Sequence, residues 1–206
     1  MIHTFKAINP TPDTAIASAV TAAFADTAAL LSVRNGGDKQ IRMNYVRLYT
    51  TVVPASATRS ELVVAVDGPG AARRASGGTA LTGRRMDIGI RNPGLDMGTA
   101  TGAVIHFGAV VTNAETTNVR RIARTPLRSA IQIVRDEYVI VFGPKGKTLL
   151  EHVHQASGTA AALRTVVHVG PAELGNNCDC LLHVWHPGNA TTPASYEVEV
   201  CYDEGS

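Results

Sequence analysis

The chain has 206 residues, 45% hydrophobic, 17% charged and 5% aromatic, with a formal net charge of +2. A chain of this length and composition buries about 70% of its extended surface in one compact domain, which argues against disorder and against any need for disulfides or a structural metal. No apolar run approaches the roughly 20 residues that cross a bilayer, and Met1 to Lys6 lacks the basic and apolar blocks of a secretory signal, so the expectation is a soluble product made in the cytoplasm, with no membrane partner.

In chain order, residues 1–27 form an N-terminal arm. Asp13 is placed to cap a short helix over 14–25, with Thr14, Ser18 and Thr21 on one face; the same small residues equally suit an extended arm lying on a neighbouring subunit. From residue 28 onward the period is two, not 3.6. Strands are predicted at 28–34, 41–53, 61–67, 103–112, 129–142, 165–170, 180–186 and 196–203, eight in all. The last is the clearest: Tyr196, Val198, Val200 and Tyr202 form an apolar face and Glu197, Glu199, Cys201 and Asp203 an acidic one. In 41–53 the apolar parity changes after Tyr45, which predicts a bulge at Tyr45-Val46. Short strands with no alternating helices indicate an all-β antiparallel sandwich over 28–206, and eight strands fit a jelly roll.

Between the third and fourth of these strands, residues 68–102 hold nine of the nineteen glycines, predicting one long Gly-rich loop. This loop carries Arg73, Arg74, Arg84, Arg85 and Arg91 against only Asp87 and Asp96. Of the nineteen basic residues in the chain only Lys6, Lys39, Lys145 and Lys147 are lysine, and the weakly hydrated, fork-shaped guanidinium suits contacts between macromolecules. The five loop arginines are therefore the candidate partner-binding residues. Arg120, Arg121, Arg124 and Arg128 extend the basic quarter, but no aromatic residues interleave with them as single-strand nucleic-acid binding requires, so acidic protein surfaces are the better target.

Several chemical motifs begin and stop short. Gly143-Pro144-Lys145-Gly146-Lys147-Thr148 has two residues where a phosphate loop needs four, and reads as a basic turn. Gly146 followed by His152-Val153-His154 matches the opening of the cupin metal motif, but the carboxylate that should follow the second histidine is missing. Cys178-Asp179-Cys180 with His183 and His186 has one residue between thiols where zinc sites have two to four, so these read as reduced, buried cysteines. His106 and His168, within apolar strands, read as hydrogen-bonded core histidines. The expectation is no catalytic residue, no metal and no cofactor.

Leu30-Leu31-Ser32-Val33-Arg34-Asn35-Gly36, Ile41-Arg42-Met43-Asn44-Tyr45-Val46-Arg47-Leu48, Gly77-Gly78-Thr79-Ala80-Leu81-Thr82, Ile105-His106-Phe107-Gly108-Ala109, Asp136-Glu137-Tyr138 and Phe142-Gly143 together resemble small virion structural proteins of tailed bacteriophages, of the kind that decorate or cement the head. The resemblance implies a jelly-roll-like sandwich that sits in the virion as a homo-oligomer, binds the major capsid protein or other virion proteins, and catalyses nothing. A tail or receptor-binding component is the rival within the virion, and a cupin-like metal-binding protein is the rival outside it.

Overall fold

The computed structural model describes residues 2–11, 13–55, 59–69, 76–86, 101–113, 119–128, 132–143, 149–154, 162–188 and 191–205. Among them are fifteen strands and no helix: β1 (His3–Ile8), β2 (Ile16–Ala17), β3 (Ala28–Asn35), β4 (Gln40–Val52), β5 (Ser60–Asp67), β6 (Ser76–Leu81), β7 (Arg84–Arg85), β8 (Ala103–Val111), β9 (Val119–Arg128), β10 (Glu137–Phe142), β11 (Leu149–His154), β12 (Leu163–Val169), β13 (Glu173–Leu174), β14 (Asp179–Trp185) and β15 (Ser195–Gly205). One sheet has the order β11-β12-β10-β4-β15-β1-β7, with β13 beside β4 and β2 beside β15; the other has the order β6-β8-β3-β14-β5-β9. The two face each other across one core, in which Val46, Leu48 and Val200 of the first meet Leu62, Val64 and Leu182 of the second. The protein is an all-β sandwich. All pairs are antiparallel except β10 with β12, which run parallel from Glu137↔Arg164 to Phe142↔Val169, so the expectation of a wholly antiparallel sandwich is corrected at that pair.

β15 is an interior strand of the larger sheet, flanked by β4 and β1. Its alternation holds: Tyr196, Val198, Val200 and Tyr202 are buried while Glu197, Glu199 and Asp203 are partly exposed. Phe5 of β1 stacks on Tyr202 with ring centroids 5.5 Å apart. The parity change in β4 is a bulge, centred one residue before the expected place. Cys201 pairs with Tyr45 and Tyr202 with Met43, leaving Asn44 unopposed and returning Val46 and Leu48 to the core.

Three expectations change. Residues 14–25 form no helix and lie on their own domain. β2 pairs with Ser195 and Tyr196, the Ser18 N–H donates to the Ala194 carbonyl at 2.8 Å, and the His186 N–H donates to the Thr21 carbonyl at 3.0 Å. Small residues permit this close approach. Gly108, at φ +105°, leaves room that a Cβ would fill 2.6 Å from the Ile16 side chain. Further on, Phe24 rests on His183 and Trp185, centroids 5.3 and 5.4 Å away, on the outer side of the smaller sheet. His3–Ile8, assigned to the same arm, is a strand within the larger sheet.

Residues 68–102 are not one uninterrupted loop. β6 pairs with β8 and β7 with β1, so the segment contributes an edge strand to each sheet. Arg73, Arg74 and Arg91 lie outside the described residues. Finally, the strand expected over 129–142 begins only at Glu137, because the Asp136 carboxylate gathers the preceding turn, accepting from the Ile133 N–H at 2.7 Å and the Leu163 N–H at 2.9 Å.

Replacing Val198 by Asp places a carboxylate on the buried face of this interior strand, where it has no partner. Burying it costs several kcal/mol or forces its protonation. The variant is expected to lose cooperative melting by circular dichroism, whereas Glu197→Gln on the opposite face should melt within a few degrees of the wild type.

Candidate interaction surfaces

The outward face of the larger sheet is a lattice of charges. Arg47 on β4 and Arg164 on β12 both donate to the Glu137 carboxylate between them, the second at 2.8 Å. Burial opposes the charge of Glu137, but the two guanidinium hydrogen bonds outweigh it and hold the carboxyl below the usual carboxylate range. One strand over, Glu199 accepts from the Tyr45 hydroxyl and forms an ion pair with Lys6 at 2.8 Å. Its pKa is likewise lowered despite burial, and that of Lys6 is raised, chiefly by the bond to Glu199. The Lys6 ammonium also stands 5.6 Å from the Tyr45 ring centroid. Such pairs, at half-exposed positions, contribute little to stability but fix the orientation of their groups.

Beside this lattice a groove of about 510 Å³ opens between the start of the 9–14 segment and β15, lined among others by Ile8, Asp13, Arg47, Tyr49, Glu197 and Glu199. Asp13, at φ 59°, and Glu197 both line it and make no ion pair among the described residues. Sequence reading saw Glu197 as one tooth of an acidic strand face. It missed Asp13 as a neighbour, because the two come together only when β1 folds back beside β15.

The arginines fall into two sets. Arg128 is buried and donates to Asp136, so it holds the fold together. Arg85 is half-buried and bonded to His3 Nδ1 at 2.6 Å, while Arg84 is exposed on the short edge strand β7. On β9, Arg121 reaches Asp26 at 3.4 Å and lies over the Phe24 ring at 5.2 Å. Arg120 and Arg124 are exposed and make no ion pair among the described residues.

Among the described residues no three His, Cys, Asp or Glu side chains converge as a metal site. Cys180 is fully buried in the core, and burial raises its thiol pKa. His183 lies on the other face of β14, its Nε2 3.2 Å from the Asp26 carbonyl. His106 Nδ1 is 3.1 Å from the Gly77 carbonyl and, like His168, is only partly buried, so neither is a core residue as expected. β11, which contains His152 and His154, is the edge strand beside β12, with His152 opposite Thr165 and His154 opposite Leu163.

One serine and one histidine do meet. Ser60 Oγ lies 3.1 Å from His186 Nδ1, and the Tyr196 hydroxyl 3.2 Å from His186 Nε2. Gln132 closes the circle, accepting from Ser60 at 3.4 Å and donating to the Tyr196 oxygen at 3.4 Å and to Thr50 Oγ1 at 2.7 Å. One set of roles satisfies every group: Tyr196 donates to Nε2, Nδ1–H to Ser60, Ser60 to Gln132, and Gln132 to Tyr196. All four side chains are buried, and the ring joins β5 and the residue that follows β14 in one sheet to β15 and, through Thr50, to β4 in the other. The ring clasps the two sheets together.

Burial lowers the His186 pKa from 6.5 to about 4. The folded protein therefore holds fewer protons than the unfolded chain between these values. Stability from this group is complete above the unfolded pKa and is lost as pH falls toward the folded one, by about 3 kcal/mol in total. Urea unfolding of the wild type at pH 7 and pH 4 should show this loss, and His186→Gln should show a smaller one. Equal losses in both proteins would place the acid sensitivity elsewhere.

No protein-family model matches the chain, and no curated protein matches it in sequence.

Proposed function

We propose that this chain is a bacteriophage virion structural protein that decorates or cements the capsid shell by binding across capsid subunits, and that its sandwich is of the jelly-roll kind. The observation that carries the reading is the placement of unpaired charge. Asp13 and Glu197 lie in a groove on the larger sheet, and Arg84, Arg120 and Arg124 lie on edge strands, all on one rigid sandwich. A cementing protein has to touch two neighbours at once and keep its own shape under load. The jelly-roll reading draws on the frequent passage of the chain between sheets, β3 to β4 to β5 and β13 to β14 to β15, which is how such folds wrap their core. Binding that favours the assembled shell over its free subunits stabilises it by mass action, which is the physical content of cementing.

Quantitative mass spectrometry of purified particles is the first test. A copy number in proportion to the shell subunits supports decoration of the head, a few copies per particle moves the assignment to the tail, and absence from particles overturns the reading. In a second test, Arg73, Arg74 and Arg84 are replaced by Ala. The melting temperature of the free protein is expected to stay within a few degrees if these charges serve docking rather than folding. Binding to particles stripped of the protein should fall severalfold at low salt, where charge contacts are least screened. Unchanged affinity would remove these arginines from the docking surface.

A further inference from the structure

We propose that the acidic groove over β15 receives the arginine-bearing edge strand β9 of a second copy of this chain. The contact deepens the reading of the protein as an oligomeric lattice component, and rests on that reading for its purpose though not for its chemistry.

Each surface has what the other lacks. In the groove Glu197 and Glu199 are two residues apart on β15, so they project from one side of the strand about 7 Å apart. Tyr49 stands directly across from Glu197 in the β4 pairing, and Asp13 closes the far end. Glu199 is already bonded to Lys6 and Tyr45, so Glu197 and Asp13 are the carboxylates with open acceptor positions. A tyrosine face beside two carboxylates is a site for a guanidinium, which donates paired hydrogen bonds from its edge and stacks with its plane.

The complementary surface is β9. It ends the smaller sheet, and among the described residues no strand pairs with its outer edge. A bulge at Ile122 sets Arg121 opposite Ala65 and Arg124 opposite Val63, two places apart on β5, so both arginines stand on one face with a spacing of about 7 Å. Glu197 and Glu199 have the same spacing, with Glu199 also bonded to Lys6 and Tyr45, so Glu197 is the carboxylate that offers open acceptor positions to Arg124. Among the described residues Arg124 makes no ion pair, while Arg121 is held by the Asp26 carboxylate at 3.4 Å and lies over the Phe24 ring, so Arg124 is the guanidinium with donors to offer. Charges, Pro126 and two breaks in register also blunt the strand against indiscriminate backbone pairing, leaving side-chain recognition as its mode of contact.

A second copy is the occupant that fits, because the groove carries Asp13, Glu197 and Glu199 against one cation, Arg47, which is already bonded to Glu137, whereas β9 carries Arg120, Arg121 and Arg124 on the opposite sheet, with the core between the two surfaces. No copy can close the contact on itself. The interface is also not self-complementary, since groove meets edge rather than groove meeting groove, so successive copies join head to tail and build a ring or an open array. That is the geometry a protein tiling a shell needs.

Sedimentation velocity of the free, full-length protein over a range of concentrations tests this, with no particle present, so failure here leaves the particle assay standing. The wild type is expected to self-associate, less so at high salt. Glu197→Arg alone sets arginine against arginine, and Arg124→Glu alone sets carboxylate against carboxylate. Each should weaken association about tenfold or more. The double variant, and an equimolar mixture of the two single variants, should associate again, which a misfolded protein would not do. A wild type that stays monomeric throughout, single variants that associate like the wild type, or a double variant and mixture that fail to recover would each overturn the proposal.

Discussion

The two sheets are held in register by a ring of hydrogen bonds rather than by apolar packing alone. Methyl-to-methyl contact is insensitive to small slips of one sheet over the other, whereas the ring through Ser60, Gln132, Tyr196 and His186 is satisfied in only one relative position. A buried polar group left without its partner costs about 1 to 3 kcal/mol, so a slip that broke the ring would be penalised at several groups together. Beside it, Asp136 ties Arg128 of β9 to the turn before β10 and to the first residue of β12. The corner where the sheets approach each other is thus closed by polar groups that specify position, and the apolar core supplies the driving force.

Much of this fold is legible from alternation. β15 shows its buried and exposed faces plainly in Tyr196 to Asp203, and the parity break in β4 betrays its bulge to within a residue or two. The strands that escape notice have physical reasons to do so. β6 contains Gly77 and Gly78, both at positive φ, and lies at an edge where no apolar pattern is demanded of it. β9 is so rich in arginine that its buried Ala123 and Leu127 are masked, and Pro126 argues against a strand unless one knows that it sits at an edge. β1 does alternate, with Phe5 and Ala7 inward, but two buried residues are too few to distinguish from chance.

The acidic groove and the arginine edge were legible in part only. Residue types and the two-residue spacing of Glu197 and Glu199 are read directly from the chain. That Asp13 joins them, and that Arg128 is buried with Asp136 while Arg124 stays outside, depends on which strands become neighbours, a property of topology rather than of any local window. The small residues of 14–25 mislead for a related reason. A run of Ala, Ser and Thr suits a helix as well as a strap pressed against a sheet, and what decides is Gly108, some ninety positions later, whose missing side chain lets Ile16 and Ala17 approach.

Rigid registration and unpaired surface charge belong together. A charge pair at an interface contributes little unless its groups are held in place beforehand, because ordering flexible side chains and backbone consumes most of what the contact returns. Here Glu197 stands on an interior strand of a sheet clasped to its partner, and Arg124 on a strand braced by β5 and anchored at its end by Arg128. In the proposed lattice each contact between copies would be weak, selective and sensitive to salt, and copies held side by side on a shell would multiply it through effective concentration. Weak, repeated contacts also let a misplaced copy leave before the array grows around it, which a single strong apolar interface would not permit.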